Sequence, residues 1–515
     1  MLGNITRVGA MTVQRIMGIE TEYGVLRPGD HRTTPMVLSG LVVRAYANDV
    51  GLNAAQSRWD YSDESPLRDQ RGYDIAREVA HESQLTDEVD PSFANVVLRN
   101  GARLYVDHAH PEYSSPEVTT PRDAVAYDRA GEIIMRRAAA LLSDDEDGPT
   151  QLYKNNTDGQ GASYGTHENY LLRRDVPWAR VVAGMTPFFV ARQVITGSGR
   201  VGIGTESERA GFQLTQRADF FEAEVGLETT LKRPIINTRD EPHADHRRYR
   251  RLHVIVGDAN HADVANLLKM GMTSLVLGAL EDEALPRIVL ARPVASMRTV
   301  SHDLTLAEPL DLVDGRAMSA LDILEAYRDA THTWWQRRGD DPIEEQTQEV
   351  FEHWSRVIDG LRRDPMNLGR DLDWVAKKSV MDAFMTRHDV AWGDPRLRAL
   401  DIQWSDVRAD KGLFHTFERA GRFTRVVSDD DVARAVVEPP RDTRAWLRGK
   451  SIEAFGSDVA SASWDGMVYR TTQPSSYTRI RLPEPLAGNA EQTRGWFDAD
   501  VAHLIAQVGP DLVVE

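Results

Sequence analysis

The chain has 515 residues, 41% of them hydrophobic and 27% charged, which is typical of globular proteins with a packed core. Its length predicts roughly two to four domains. The formal net charge of −18 disfavours a general nucleic-acid binder, because neutralising phosphates requires a basic surface. The absence of cysteine excludes disulfides, zinc–thiolate sites, iron–sulfur clusters and a cysteine nucleophile.

No segment of the sequence predicts a membrane anchor or a secretion signal. The longest apolar run, residues 273–280, is far shorter than the ~20 residues that a membrane-spanning helix needs. The first twenty residues lack the long apolar stretch of a signal peptide. We therefore expect a cytoplasmic protein without membrane or nucleic-acid partners, and we expect residues 1–14 to be an N-terminal extension.

The first regular element is a strand over residues 15–27, in which period-two alternation places Glu20 and Glu22 on the same face. Residues 28–95 are polar and interrupted by proline and glycine, which predicts a long mobile insertion loop. A hairpin turning at Asn100-Gly101 follows.

A helix is predicted from Thr120-Pro121 to about Leu142, with threonine as the N-cap and proline in the first turn. Strand-like runs follow at residues 151–156, 161–172, 186–197, 221–231 and 251–258, and helical periodicity at 262–281, 319–338 and 349–363. Pro439-Pro440 marks a boundary. We predict an α+β fold, with a large domain over residues 15–435 and a small C-terminal domain over 436–515.

Carboxylates on the first strand suggest a metal site. Glu20 and Glu22 interrupt an otherwise apolar strand, and buried carboxylates are costly unless they are paired or bind a metal. Oxygen ligands suit magnesium, typically while it holds nucleotide phosphates. The alternative is a strand with a solvated outer face.

A second group of polar residues lies in the segment RLYVDHAHPEY. Alternation aligns Arg103, Tyr105 and Asp107 on one face, where they could bind phosphate, metal and a reacting group, and Glu112 could add a carboxylate. His108 and His110 have the spacing of a metal-binding pair, but without cysteine or an obvious third ligand we do not predict zinc. An ordinary edge strand is the alternative.

The third group lies in GTHENYLL, where His167 and Asn169 share one face and Glu168 and Tyr170 the other. The sequence does not tell which face is buried, and a structural histidine is the alternative. Residues 197–202 match G-x-G-x-x-G, but no helical pattern follows them. We therefore reject a dinucleotide-binding fold and predict a flexible glycine loop.

Arginines are frequent between residues 192 and 251. Such residues commonly form a solvated face with weak ion pairs, but arginine is also well suited to clamping phosphates and carboxylates. The sequence has no G-x-S-x-G motif, which argues against a serine hydrolase. Carboxylate-bearing strands and arginines, in a chain without a classical nucleotide-binding motif, together predict a nucleotide–magnesium site on an antiparallel sheet.

Seven motifs, in order, resemble the Pup ligase/depupylase family of the glutamine-synthetase-like carboxylate–amine ligase superfamily. They are MGIETEYG, LRNGARLYVDHAHPEYSSPE, YKNNTDGQGASYGTHENYL, TGSGRVGIG, INTRDEPHAD, RRLHVIVGDAN and SDVRADKG. The resemblance extends from about Gln14 to the C-terminal tail. It implies a glutamine-synthetase-like antiparallel sheet with helices packed on it, a smaller C-terminal domain, and ATP and Mg²⁺ as cofactors.

The resemblance also implies roles for individual residues. Asp107 would be the catalytic carboxylate. The metal-site residues would be Glu20, Tyr105, Glu112, His167, Glu168 and His253. The ATP-contacting residues would be Arg103, Ser115, Arg239, Arg251 and Trp464, and Arg217 would bind the substrate. The arginine-rich stretch 192–251 adds Arg200 as a second predicted substrate-binding residue.

Within this family the long insertion at 28–95 and the HAHPEY sequence favour the depupylase branch. The resemblance then implies a hydrolase that removes Pup from lysine side chains of pupylated proteins and deamidates the C-terminal glutamine of Pup. ATP would remain bound and would not be consumed in each turnover. An ATP-consuming Pup–protein ligase on the same fold is the alternative.

Overall fold

The computed structural model describes residues 13–30, 32–52, 58–61, 64–76, 94–143, 148–230, 232–339, 341–471, 476–508 and 513–514. Most of the predicted N-terminal extension, residues 1–12, lies outside this part of the chain. Val13 is fully buried and packs into the core. The folded region therefore begins before residue 15.

Strands are concentrated in the first half of the described chain and helices in the second. The strands are β1 Met17–Glu22, β2 Gly24–Leu26, β3 Arg58–Trp59, β4 Arg68–Asp69, β5 Tyr73–Asp74, β6 Asn95–Val97, β7 Arg103–Asp107, β8 His110–Ser114, β9 Gln151–Tyr153, β10 Thr166–Arg173, β11 Arg200–Ile203, β12 Arg209–Gln213, β13 Phe221–Gly226, β14 Arg233–Asn237, β15 Tyr249–Val254, β16 Leu310–Asp311, β17 Ala317–Met318, β18 Val459–Ala462, β19 Gly466–Arg470, β20 Tyr477–Arg481 and β21 Val513–Val514. The helices are α1 Pro35–Asp49, α2 Pro121–Leu141, α3 Trp178–Ala191, α4 Gln193–Thr196, α5 Asp263–Glu281, α6 Pro293–His302, α7 Ala320–Arg338, α8 Glu344–Arg363, α9 Asp373–His388, α10 Pro395–Trp404, α11 Leu413–Arg419, α12 Asp429–Val437, α13 Ala445–Phe455 and α14 Val501–Gln507. This arrangement confirms the predicted α+β class.

A six-stranded antiparallel sheet, in the order β15–β10–β1–β8–β7–β6, forms the centre of the fold. In it Glu20 lies opposite His167 and Ser114, and Glu22 lies opposite Glu112. Since successive side chains point to opposite faces of a sheet, one face of these strands carries the carboxylates. The other face carries the apolar residues.

The apolar face of the central sheet packs against α2 and α5. Their side chains, with those of α3, share one core with Ile19, Tyr170 and Leu252. Helix α5 is long enough and apolar enough, with a mean hydropathy of 1.2, to cross a membrane by composition alone. Every one of its residues is buried inside the protein. Its apolarity is therefore explained by its position in the core.

Helix α2 begins and ends where the sequence predicts. Thr120 accepts a hydrogen bond from the backbone N–H of Asp123, and Pro121 occupies the first turn. Both features stabilise a helix N-terminus. Gly131 on this helix faces the ring of Tyr113 on β8, and a Cβ added at Gly131 would lie 2.3 Å from a ring carbon.

We expect Gly131→Ala to destabilise the protein, although glycine-to-alanine changes inside helices usually stabilise by about 1 kcal/mol. The added methyl group overlaps a fully packed aromatic ring, and overpacking of this kind costs typically about 1–3 kcal/mol. Urea unfolding measures the change. Gly40→Ala in α1 is the matched control, because there the added Cβ meets only the mobile end of Arg44.

The control should be neutral or slightly stabilising. Equal free energies of unfolding for Gly131→Ala and Gly40→Ala would show that α2 does not pack against β8 as closely as the structure describes.

Two sequence predictions of local structure are wrong. Residues 186–197 form the end of α3 and all of α4, because a fully buried apolar run lacks the alternation that distinguishes strand from helix. Within the predicted 28–95 loop, residues 35–49 form α1, with Thr34 as N-cap and Pro35 in the first turn. Residues 53–57, 62–63 and 77–93 of that loop lie outside the described chain.

The segment 197–202 is also not a flexible loop. These residues are buried and lead into the antiparallel β11–β12 hairpin. Gly199 has a φ of +74°, and a Cβ there would lie 3.1 Å from the backbone of Trp374. Glycine is therefore needed for close packing, and a strand follows where a dinucleotide-binding motif would require a helix.

The C-terminal segment contributes a second sheet, in the order β21–β20–β19–β18–β3. Its buried side chains, such as Met467 and Ile480, share a core with Val96 and Leu104 of the central sheet. The predicted boundary at residue 436 falls inside α12. The exact division into domains stays a prediction.

Candidate active site

The polar face of the central sheet collects chemistry-bearing side chains from five adjacent strands. They are Glu20 and Glu22 on β1, Tyr105 and Asp107 on β7, Glu112 on β8, His167 and Asn169 on β10, and Arg251 and His253 on β15. Nearly all of the residues predicted around the metal are therefore neighbours in space.

Glu22, Asp107 and Glu112 form a carboxylate cluster, in which one oxygen from each lies within 4.8 Å of the others. Glu112 is only 1% exposed. Burial, and then the charges of Asp107, Glu20 and Glu22, raise the pKa of Glu112 well above its usual range. Three carboxylates so close together repel one another unless a cation joins them. The all-oxygen donor set fits Mg²⁺.

Glu20, His167 and His253 form a second group whose ligand atoms also lie within 4.8 Å of one another. Glu20 accepts a hydrogen bond of 2.7 Å from the Asn169 amide and lies 3.3 Å from Nδ1 of His167. Burial acts to raise the pKa of Glu20, but His167, His253 and Arg251 together hold it well below its usual value. This mixed oxygen and nitrogen set could hold a further cation.

Tyr105 lies beside the carboxylate cluster. Burial, and then the charge of Glu112, raise the pKa of its phenol well above the usual value, and the phenol is hydrogen-bonded to Glu112. Tyr105 therefore offers a neutral oxygen to the cluster.

His108 and His110, spaced in the sequence like a metal-binding pair, contact two different carboxylates. Nδ1 of His108 lies 3.0 Å from Oδ2 of Asp107, and Nδ1 of His110 lies 3.1 Å from Oε2 of Glu22. The hydrogen bond with Asp107 raises the pKa of His108 to about 9. Despite burial, the close approach of His110 lowers the pKa of Glu22 to about 2. The side chain of Asp107 is 27% exposed, so solvent reaches it.

Glu168 does not join this site, contrary to its predicted role at the metal. It lies on the apolar face, where its two carboxylate oxygens accept hydrogen bonds of 2.6 and 2.8 Å from Arg192 and one of 2.6 Å from Tyr170. Glu168 is fully buried. Its carboxylate is the counter-charge of Arg192 inside the core. Successive side chains of a strand point to opposite faces, so the residue after His167 points away from the polar face.

We therefore expect Glu168→Gln to destabilise the fold without changing the chemistry of the polar face. It would leave the Arg192 guanidinium buried without its counter-charge, a loss typically of about 3–5 kcal/mol. Urea unfolding of this variant is compared with that of His167→Gln, which lies on the polar face. If Glu168→Gln were as stable as the wild type and His167→Gln were destabilised, Glu168 would not lie on the apolar face.

A cavity adjoins Glu20 and extends towards the C-terminal segment. It is lined by residues that include Gly18, Ser115, Asn169, Arg251 and Trp464. Ser115 accepts a 2.9 Å hydrogen bond from the backbone N–H of Ile19, and Trp464 packs edge-on against Trp59 with ring centroids 5.1 Å apart. The structure thus brings three of the predicted ATP-contacting residues into one cavity.

Arg103 and Arg239 lie near the same face. The guanidinium of Arg103 stacks between Trp59, at 4.1 Å from the ring centroid, and Tyr105, at 3.9 Å. Arg239 lies 3.9 Å from Glu241, and its buried Nε has no hydrogen-bond partner among the described residues. Both side chains carry positive charge at the edge of the site.

The two predicted substrate-binding arginines differ in position. Arg217 donates a hydrogen bond to the carbonyl of Ile255. Burial, and then the charge of Arg233, lower the pKa of Arg217 to about 9, whereas the charge of Glu22 acts to raise it. Arg200 is 1% exposed inside the β11–β12 hairpin and donates to Thr205 and Ser207. Arg217 is equally buried, so neither guanidinium lies on the surface, and the substrate-binding role of both stays a prediction.

Several site residues were not assigned a role from sequence. Glu22 was recognised as sharing a face with Glu20, but its neighbours Glu112 and Asp107 follow only from the pairing of β1 with β8 and of β8 with β7. Trp59 comes from the 28–95 segment, which has no periodic signal. Its contact with Trp464 becomes possible because β3 pairs with β18.

A family model described as "Pup-ligase protein" matches residues 15–468 of this chain. The chain belongs to the Pup-ligase protein family. This confirms the resemblance seen in the seven motifs.

Named members of the family are similar over nearly the whole chain. "Depupylase" of Acidothermus cellulolyticus (strain ATCC 43068 / DSM 8971 / 11B) is 50% identical over 92% of this chain and 95% of its own length. "Pup deamidase/depupylase" of Mycolicibacterium smegmatis (strain ATCC 700084 / mc(2)155) is 48% identical over 95% of this chain and 97% of its own length.

The solved structure of the complex between prokaryotic ubiquitin-like protein Pup and its ligase PafA is also similar. It has a TM-score of 0.78 and 32% sequence identity, and covers 94% of this chain and 92% of its own. This likeness confirms the predicted glutamine-synthetase-like fold.

Proposed function

We propose that this chain is a hydrolase that removes Pup from lysine side chains of pupylated proteins and deamidates the C-terminal glutamine of Pup, with Mg-ATP as a bound cofactor. The observation that carries the proposal is the partly exposed carboxylate of Asp107 at the edge of the Glu22–Glu112 pair. It places a reactive group where a substrate can approach a cation-binding cluster.

The named relatives favour hydrolysis over ligation. Depupylases match at 47–50% identity over 92–95% of this chain. A Pup–protein ligase of Acidimicrobium ferrooxidans (strain DSM 10331 / JCM 15462 / NBRC 103882 / ICP) matches at 39% over 78% of this chain. Ligation on the same fold remains the second candidate, supported by the likeness to PafA.

The substrate bond is a side-chain amide, which is a poor electrophile. Asp107 acts on its carbonyl carbon, either by attacking it directly or by taking a proton from a water molecule that attacks. The C–N bond breaks, and the nitrogen leaves with a proton as lysine ε-amine in depupylation or as ammonia in deamidation. Water supplies one oxygen of the new carboxylate and the proton that leaves with the nitrogen. If Asp107 attacks directly, water then hydrolyses the resulting anhydride and regenerates the Asp107 carboxylate.

The residues around Asp107 prepare the site for this step. Arg217 and Arg233 bring positive charge towards Glu22, and preorganised charge of this kind stabilises a developing oxyanion. Glu22 and Glu112 would hold magnesium, and bound magnesium would supply charge neutralisation and polarisation. The cavity that contains Ser115 would hold the end of ATP away from the phosphates. The arginines of the polar face would bind the phosphates.

The proposal is tested with purified protein, Mg-ATP and a Pup–lysine conjugate, following release of lysine and of phosphate in the same reaction. Cleavage without a matching amount of phosphate supports the hydrolase with nucleotide as cofactor. ADP formed in proportion to Pup attached to lysine, without cleavage, would instead establish the ligase.

A further inference from the structure

His108 occupies an unusual position in the turn between β7 and β8. Asp107 and His110 form the last pair of the two strands, so His108 and Ala109 make a two-residue hairpin loop. The φ of His108 is +51°, whereas that of Ala109 is not positive. Hairpins with this pattern ordinarily have glycine at the first loop position, and a side chain there carries backbone strain.

The side chain of His108 makes a specific contact in return. Its Nδ1–H donates to Oδ2 of Asp107 at 3.0 Å, since a carboxylate can only accept. This contact engages one of the two carboxylate oxygens of Asp107. Asp107 is the last residue of β7. Its short side chain has few other contacts, among the described residues, that would fix the orientation of the carboxylate.

The backbone of the turn is held independently of the imidazole. The hydroxyl of Ser39 on α1 lies within hydrogen-bond distance of the carbonyls of Ala109, at 2.9 Å, and Pro35, at 2.8 Å, which share its one hydrogen. The ring of His110 stacks on Tyr164 with centroids 4.4 Å apart. Loss of the His108 ring therefore leaves the turn anchored from both sides. What it removes is the hydrogen bond to Asp107.

We propose that His108 is a positioning residue that holds the carboxylate of Asp107 in one orientation at the edge of the cluster. This inference rests on the proposed function in that Asp107 is the group acting on the amide. Placing a reactive group within a narrow range of angles contributes strongly to rate, which gives a reason for tolerating histidine where glycine would fit the backbone better.

The decisive variant is His108→Gly, because it relieves the backbone strain while deleting the imidazole. We expect its melting temperature to equal or exceed that of the wild type. We expect its kcat for the Pup–lysine conjugate to fall about tenfold to a hundredfold, as for loss of one charged hydrogen bond. The KM should stay within about twofold, because substrate binding is not affected.

His108→Asn should recover part of the lost rate, since asparagine tolerates a positive φ and its amide can donate to Asp107. Ala109→Gly is the matched control: it loosens the same turn, keeps the imidazole and should leave kcat unchanged. An unchanged kcat in His108→Gly, or an equal loss in Ala109→Gly, would overturn the proposal.

Crystal structures of the wild type and of His108→Gly give a readout that does not depend on activity. We expect Asp107 to occupy one rotamer in the wild type and several in the variant. A single unchanged rotamer in His108→Gly would overturn the positioning role. If the wild type failed to cleave the conjugate, the proposed function would fail, and the rotamer comparison would still decide the role of His108.

Discussion

Asp107→Asn should strongly impair cleavage of a Pup–lysine conjugate, with kcat lowered by about a hundredfold to ten-thousandfold, the range found for loss of a group that takes or gives protons. An amide neither attacks a carbonyl carbon nor accepts a proton from water. The variant should keep its melting temperature, because Asp107 is partly exposed and the substitution hardly changes its shape. Single-turnover release of lysine measures the effect.

Binding of Pup separates a loss of chemistry from a loss of substrate recognition. The affinity of Asp107→Asn for fluorescently labelled Pup should equal that of the wild type. Asp175→Asn is the control, since Asp175 is an exposed residue that pairs only with Arg173 among the described side chains. A variant at Asp107 that cleaves at the wild-type rate would remove Asp107 from the mechanism and leave the proposed function without its reacting group.

Alternation along single strands was sufficient to predict which residues share a face. The period of two places three pairs of residues each on one face of a strand: Glu20 with Glu22, Tyr105 with Asp107, and His167 with Asn169. These predictions are local, and they hold because the central strands are regular over these residues.

The identity of the buried face could not be predicted in the same way. His167 and Glu168 are both polar, and the strand THENYLLR has no apolar stripe that would mark the core side near them. Only the pairing of β10 with β1 shows that Glu168 shares a face with Ile19. Its charge is then matched by Arg192, which comes from the end of α3.

Contacts between distant segments were also beyond single-sequence reasoning. The stacking of Arg103 on Trp59 joins β7 to a segment that shows no periodicity. The burial of Arg200 depends on a hairpin of two short strands, of four and five residues. Arginine-rich composition predicted binding for the whole region, but tertiary packing decides which guanidinium groups reach the site.

The carboxylate cluster explains why stability and function should oppose each other at Glu112. In metal-free protein the folded-state pKa of Glu112 is raised by burial and by Asp107, Glu20 and Glu22, whereas an unfolded glutamate titrates near ~4.3. Between these two values the folded state binds more protons than the unfolded state. Stability must therefore fall as pH rises through that interval, by up to about 1.4 kcal/mol per pH unit for one proton.

Glutamine does not titrate, so Glu112→Gln removes the difference in bound protons between the folded and unfolded states at this position. With EDTA present, we expect its free energy of unfolding to fall less steeply with pH than that of the wild type, so that the variant is the more stable protein at alkaline pH. Glu352→Gln, a change at an exposed helical position, should leave the slope unchanged. Urea unfolding at a series of pH values measures all three proteins, and parallel curves would contradict the raised pKa.

Addition of magnesium should reverse the order. The wild type should gain stability, because a cation that binds only the folded state shifts the unfolding equilibrium, whereas Glu112→Gln has lost one oxygen anion of the cluster. We expect the variant to gain little and to cleave the Pup conjugate at least about a hundredfold more slowly. A variant stabilised by magnesium as strongly as the wild type would show that the cation binds elsewhere. The energetic cost of placing three carboxylates close together is thus expected to appear as lower stability without metal and as activity with it.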